Sequence, residues 1–169
     1  MINYYQWLIS SSYCENIKKC CNFLKKSWNI ISYSKRNSTY PYNHIIYKSI
    51  KYKKYVFSFP GTVNWKQLIN EILGTSIQIN SIHFTFFFYN YIIVDEMLNK
   101  EIINDIIKNS DYEIIFCGHS LGGAVATIAL NDYLKLNLKN NMILMTFVQP
   151  RVGDYNFTIN LSNKATKIF

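Results

Sequence analysis

The sequence predicts an α/β fold with a mostly parallel sheet flanked by helices, and three observations lead to it. Uncharged apolar runs of strand length alternate with helix-length amphipathic segments along residues 45–148. One run, Ile114-Ile115-Phe116-Cys117, leads into Gly118-His119-Ser120-Leu121-Gly122 and then into the small residues Gly123-Ala124-Val125-Ala126. Another, Met142-Ile143-Leu144-Met145-Thr146-Phe147-Val148, carries no charge, as expected of a central parallel strand covered on both faces.

Each element follows from its own residues. In residues 1–50, the stretches 4–8 and 20–31 have helical character and are separated by the polar segment 32–43 with Pro41. Ile45-Ile46-Tyr47 and Tyr55-Val56-Phe57-Ser58-Phe59 read as strands, the second ending at the turn signal Pro60-Gly61-Thr62. Trp65, Leu68, Ile69, Ile72 and Leu73 recur at helical spacing, and Gly74 is a natural stop. Residues 77–91 are aromatic and β-branched, as in a strand or a packed loop. A helix is expected over 95–109, with Leu98, Ile102, Ile103, Ile106 and Ile107 on one face. The helix after Ser120 should run to about Leu136, and 149–154 should form a loop.

The chain has 169 residues, enough for one domain with a real core. With 49% hydrophobic and 17% charged residues it is not a disordered composition. Residues 1–54 hold ten Lys/Arg against the single Glu15, so the formal net charge of +8 is concentrated there. This basic segment, with Trp7, Leu8, Phe23, Leu24, Trp28 and Ile31, suits either an anionic membrane surface or a solvated, lysine-biased leader. No nucleic-acid-binding motif accompanies the charge, so nucleic acid is not an expected partner. The spacing of Cys14, Cys20, Cys21 and Cys117 matches no zinc or Cys-X-X-Cys pattern, and neither metal nor organic cofactor is expected. The N-terminus lacks signal-peptide character and no stretch is long enough to span a bilayer. The expectation is an intracellular protein, soluble or peripherally attached to membrane. The domain reading is a basic segment over 1–44 followed by an α/β domain over 45–169.

Gly-X-Ser-X-Gly between a strand and a helix is the setting of a nucleophile elbow. A serine at the tip of such a turn exposes its hydroxyl, while the helix N-terminus turns free N–H groups and a positive dipole end toward developing negative charge. Ser120 is therefore the candidate nucleophile. The glycines are expected to relieve the backbone of the turn and to let the helix approach the sheet.

Four segments in this order resemble the class 3 (fungal-type) lipases, which have an α/β-hydrolase fold. They are Phe59-Pro60-Gly61-Thr62 (usually Phe-Arg-Gly-Thr/Ser), His83-Phe84-Thr85-Phe86 (usually His-X-Gly-Phe), the elbow Gly118–Ala124, and Thr146-Phe147-Val148-Gln149-Pro150-Arg151-Val152-Gly153-Asp154 (usually Thr-Phe-Gly-Gln-Pro-Arg-Val-Gly-Asn). Together they span roughly 45–160. The resemblance implies a serine hydrolase of lipid esters such as acylglycerols. It implies Ser120 as nucleophile and an oxyanion hole from the Thr62 and Leu121 backbone N–H groups, with the Thr62 hydroxyl assisting. It makes the helix over 63–73 a candidate interfacial lid and His83 a structural residue.

A serine nucleophile needs a base, and in α/β hydrolases the order is Ser, then Asp or Glu, then His. The three histidines His44, His83 and His119 all precede Ser120. His119, next to the nucleophile, is expected to be structural. Asp132 falls on the elbow helix, and Asp154 stands at the family's loop Asn. No triad Asp or His is found in this chain, which reads as a lipase-like domain incomplete at its C-terminus. The alternatives are a catalytically inactive module that binds lipid or a partner, and an acyltransferase or thioesterase built on the same elbow.

Overall fold

The computed structural model describes residues 8, 27–34, 44–61, 76–79, 82–85 and 99–169, with 76–79 and 82–85 described as backbone. A six-stranded sheet has the order β1-β2-β3-β6-β7-β8. Its strands are β1 (Asn29–Ser34), β2 (His44–Ser49), β3 (Lys54–Phe59), β6 (Glu113–His119), β7 (Met142–Phe147) and β8 (Lys167–Ile168). β1, β2 and β3 pair antiparallel, while β3, β6, β7 and β8 pair parallel, so the sheet is mixed with a parallel half around the elbow. β4 (Ser76–Ile79) and β5 (Ile82–Thr85) form a separate hairpin within the stretch read as strand or loop, and His83 pairs with Gln78 in it.

Burial on both faces explains the uncharged runs. Along β6, Ile114 and Phe116 enter one cluster and Ile115 and Cys117 the other, the alternation of a strand. The larger cluster lies under α1 (Lys100–Lys108), α2 (Leu121–Leu134) and α3 (Tyr155–Lys164). There Phe57 stacks on Phe116 with centroids 4.9 Å apart, and Tyr133 of α2 meets both rings edge-on. The smaller cluster is completed by Leu8 and Trp28. Ser58 Oγ donates to Leu8 O at 3.1 Å and Ser49 Oγ to Ser27 O at 2.6 Å. Part of the N-terminal segment thus covers the second face of the sheet, and β1 joins its edge.

α2 is buried from Leu121 through Asn131. It is apolar all round rather than amphipathic, as a helix enclosed by other elements must be. α1 buries only Ile102 and Ile106, and Ile107 is exposed. Asn99 takes a non-helical conformation and its Oδ1 accepts from Glu101 N at 2.7 Å, a cap that starts the helix at Lys100 instead of 95. α1 is held to the sheet by a polar cluster. Lys48 Nζ donates to both Asp105 carboxylate oxygens, at 2.7 and 2.6 Å, and Tyr55 OH donates to Oδ2 at 2.8 Å. Burial acts to raise the Asp105 pKa, but these hydrogen bonds and the Lys48 and Lys108 charges outweigh it and hold the carboxyl below its ordinary range.

Several expectations need correction. Residues 29–31 are strand, not helix, and the polar segment from Ser32 to Ser34 continues that strand. β7 ends at Phe147, before Val148. α2 ends at Leu134, two residues early, with Lys135 N–H bonding back to Asp132 O. The helix expected over 63–73 lies outside the described residues, as do Cys14, Cys20 and Cys21. α3 and β8 correspond to residues for which no element was expected.

Candidate functional site

The site stands at the C-terminal ends of β3, β6 and β7, where open parallel sheets gather their ligand-facing loops. β6 ends at His119, and Ser120 occupies the N-cap position of α2 with φ 53° and ψ −124°. A serine at an N-cap normally turns its hydroxyl back to the helix amides. Ser120 makes no such bond, so its half-buried hydroxyl is not consumed by the cap. Its backbone is held instead: Ser120 N–H donates to Phe147 O at 2.8 Å, and Ser120 O accepts from Gly123 N–H at 2.9 Å. Leu121, first in the helix, has no helical carbonyl behind it to take its N–H.

The elbow glycines relieve the turn by carrying no Cβ on either flank of Ser120. No described glycine has positive φ; the strained conformation belongs to Ser120 itself. What the glycines supply is room. A Cβ on Gly118 would lie 2.1 Å from Gly122 O, and one on Gly122 would lie 2.2 Å from Phe59 O and 2.5 Å from Pro60 O. Register agrees, since Phe59 pairs with Gly118. The loop leaving β3 therefore sits directly against the first turn of α2. Thr62 lies outside the described residues.

The loop after β7 braces the elbow from the other side. A Cβ on Gly123 would meet Gln149 Cβ at 2.7 Å, and Thr127 Oγ1 lies 2.8 Å from Gln149 Oε1 and 2.9 Å from Gly123 O. Val152 is buried and Arg151 Nε donates to Gly153 O. Asp154 caps α3 by accepting from Phe157 N–H at 2.8 Å. Gln149, Val152, Gly153 and Asp154 of this motif thus have packing or capping roles that tie β7 to α2 and α3.

The other sequence candidates are spread apart. Cys117 is fully buried beneath the elbow, and burial pushes its thiol up to about 12, so it is an unreactive core residue. His44 is fully buried at the start of β2, with its ring 6.5 Å from that of Phe59, and burial lowers its pKa to about 4. It stands on the antiparallel half of the sheet, across β3 from β6. His119 is solvent-exposed, and Asp132 pairs with Lys135 at 2.6 Å at the far end of α2. Sequence reasoning missed Val148, which adjoins the elbow with φ 53° and 86% exposure. The available signal was a β-branched residue immediately after a buried strand, read as part of that strand. Among the described residues no cluster of three or more His, Cys, Asp or Glu is arranged to hold a metal, and no helix is long and apolar enough to cross a membrane.

The family model for class 3 lipases matches residues 56–169. A secreted mono- and diacylglycerol lipase A of Penicillium cyclopium is 35% identical over 68 residues, which are 40% of this chain and 22% of that protein. The triacylglyceride lipase of Rhizomucor miehei superposes with a TM-score of 0.84 at 21% identity, covering 96% of this chain and 66% of that one. A lipase of Rhizopus microsporus var. chinensis gives 0.81 at 22% identity, covering 96% and 61%. The chain thus spans less than two thirds of the length of these relatives, and it belongs to the class 3, fungal-type lipase family with an α/β-hydrolase fold.

Proposed function

We propose that this chain carries the nucleophile half of an acylglycerol ester hydrolase. In this reading Ser120 Oγ attacks the ester carbonyl. Leu121 N–H receives the resulting oxyanion, together with the N–H and hydroxyl of Thr62 from the loop after β3. The observation that carries it is the strained, uncapped Ser120 at the mouth of α2, with Phe59 and Pro60 packed on Gly122. That packing supports the reading, because it seats the start of the β3 loop on the first turn of α2. The electrostatic logic is direct, because an amide at a helix N-terminus favours the negative charge that develops on the carbonyl oxygen.

Acylation also needs a base, and no histidine follows Ser120 in these 169 residues. The reading therefore requires a histidine and its acid partner from chain beyond Phe169. The acylglycerol substrate is taken from the mono- and diacylglycerol and triacylglyceride lipases to which the chain is similar. A lid over 63–73 and attachment of the basic N-terminal segment to anionic membrane are further parts of the proposal. A second reading is a non-catalytic lipid- or partner-binding module on the same fold.

Treating the native protein with an alkyl fluorophosphonate separates the two. The hydrolase reading expects a covalent adduct on Ser120 by peptide mass spectrometry, abolished in Ser120→Ala. An unmodified Ser120 under conditions that label a control lipase fully would leave the binding module as the answer.

A further inference from the structure

At the C-terminal ends of the parallel strands, two residues with side chains take left-handed φ, Ser120 and Val148, both at 53°. They are linked through one peptide. Ser120 N–H donates to the carbonyl of Phe147, the residue before Val148, at 2.8 Å. Standard peptide dimensions then keep the Val148 Cα within about 6 Å of the Ser120 nitrogen. The other two described residues with side chains and positive φ, Lys53 and Asn137, lie in turns and are unbranched at Cβ. For valine this conformation is a genuine outlier. Burial does not offset the strain, because Val148 is 86% exposed, the most exposed large hydrophobic residue among those described. The flanking backbone imposes it: Phe147 O is engaged by Ser120, and Gln149 is packed against α2. A strained, water-facing isopropyl group beside a candidate nucleophile is the kind of outlier that points to function.

We propose that Val148 is a specificity-determining residue, whose isopropyl group forms an apolar wall beside Ser120 and restricts branching in the substrate next to the reacting centre. This rests on Ser120 being the nucleophile. An unbranched chain lies along the wall, whereas a branch meets the two methyl groups. Differences of one or a few carbons in such a pocket change rates by about 10–200-fold.

The test compares Val148→Gly and Val148→Ala with the unsubstituted native protein. Second-order labelling rates of Ser120 are measured with a straight-chain decyl fluorophosphonate and with diisopropyl fluorophosphate. The ratio of the two rates cancels any general change in Ser120 reactivity. The expected result is a shift of about tenfold or more toward the branched probe in both variants. Val148→Ala keeps a Cβ in the strained conformation and loses only the methyls. A shift confined to Val148→Gly would therefore assign the effect to backbone relaxation and overturn the proposal. An unchanged ratio with normal labelling overturns the Val148 role alone. Absence of labelling in all three proteins overturns the nucleophile reading and this inference with it.

Discussion

Ser120 stands where it does because three stretches of backbone pass closer than side chains would permit. Gly122 links α2 to the β3 loop, since a Cβ there would press on the carbonyls of Phe59 and Pro60 at 2.2 and 2.5 Å. Neither carbonyl belongs to a side chain that could rotate away. Gly122→Ala is therefore expected to cost about 1–3 kcal/mol, the usual range for overpacking. A urea unfolding midpoint measures it, and an unchanged midpoint would mean that the β3 loop is free to leave the elbow. The spacing of Gly-X-Ser-X-Gly and the need for bare glycines beside Ser120 were plain in the sequence, but the backbone each glycine meets was not. Close approach of two non-local backbones leaves no local trace.

At the level of elements, β2 shows how a strand end can carry pH dependence. His44 opens the strand, is fully buried and packs beside Phe59, the last residue of β3. Burial lowers its pKa to about 4, against an ordinary value of 6.5. Between those values the unfolded chain binds a proton that the folded chain excludes, so stability falls as pH drops from about 6.5 toward 4. The full effect amounts to about 3 kcal/mol. His44→Phe removes the titrating group and keeps an aromatic ring beside Phe59. Between pH 7 and 4.5 the variant should lose about 2–3 kcal/mol less than the parent in urea titrations. Parallel pH profiles would show that His44 titrates normally. The histidine was visible in the sequence, but its neighbours were not, because the pairing of β2 with β3 decides them.

Among the described residues the parallel half of the sheet runs from β3 through β6 and β7 to β8. β7 is bonded to this last segment by Thr166 N–H to Met142 O at 2.8 Å, Phe169 N–H to Leu144 O at 2.9 Å and Thr146 N–H to Phe169 O at 3.1 Å. Removing residues 165–169 would turn the apolar β7 into an exposed edge, a template for pairing between molecules. The shortened protein is expected to aggregate at concentrations where the parent does not, as read by size-exclusion chromatography. Identical elution profiles would show that β7 is shielded by other means. The N-terminal segment matters on the same scale, because Leu8 and Trp28 complete the second core. Its basic composition suggested a solvated or membrane-facing leader, and the packing of those apolar residues was hidden among the lysines.

By itself the sequence determined the buried strands β2, β3, β6 and β7, the helix behind Ser120 and the candidate nucleophile, along with the family resemblance. Those elements are dense in apolar or small residues, and such patterns report burial directly. The tertiary structure decided the rest. Asn29–Ser34 is a strand because β2 is there to pair with it, and α3 forms on only two buried side chains, Phe157 and Leu161, with Asp154 as its cap. The seating of Phe59 and Pro60 on Gly122 and the strained Val148 beside Ser120 exist only once distant segments meet. Local composition encodes what a residue prefers to be buried in, and only the fold determines which backbone it meets there.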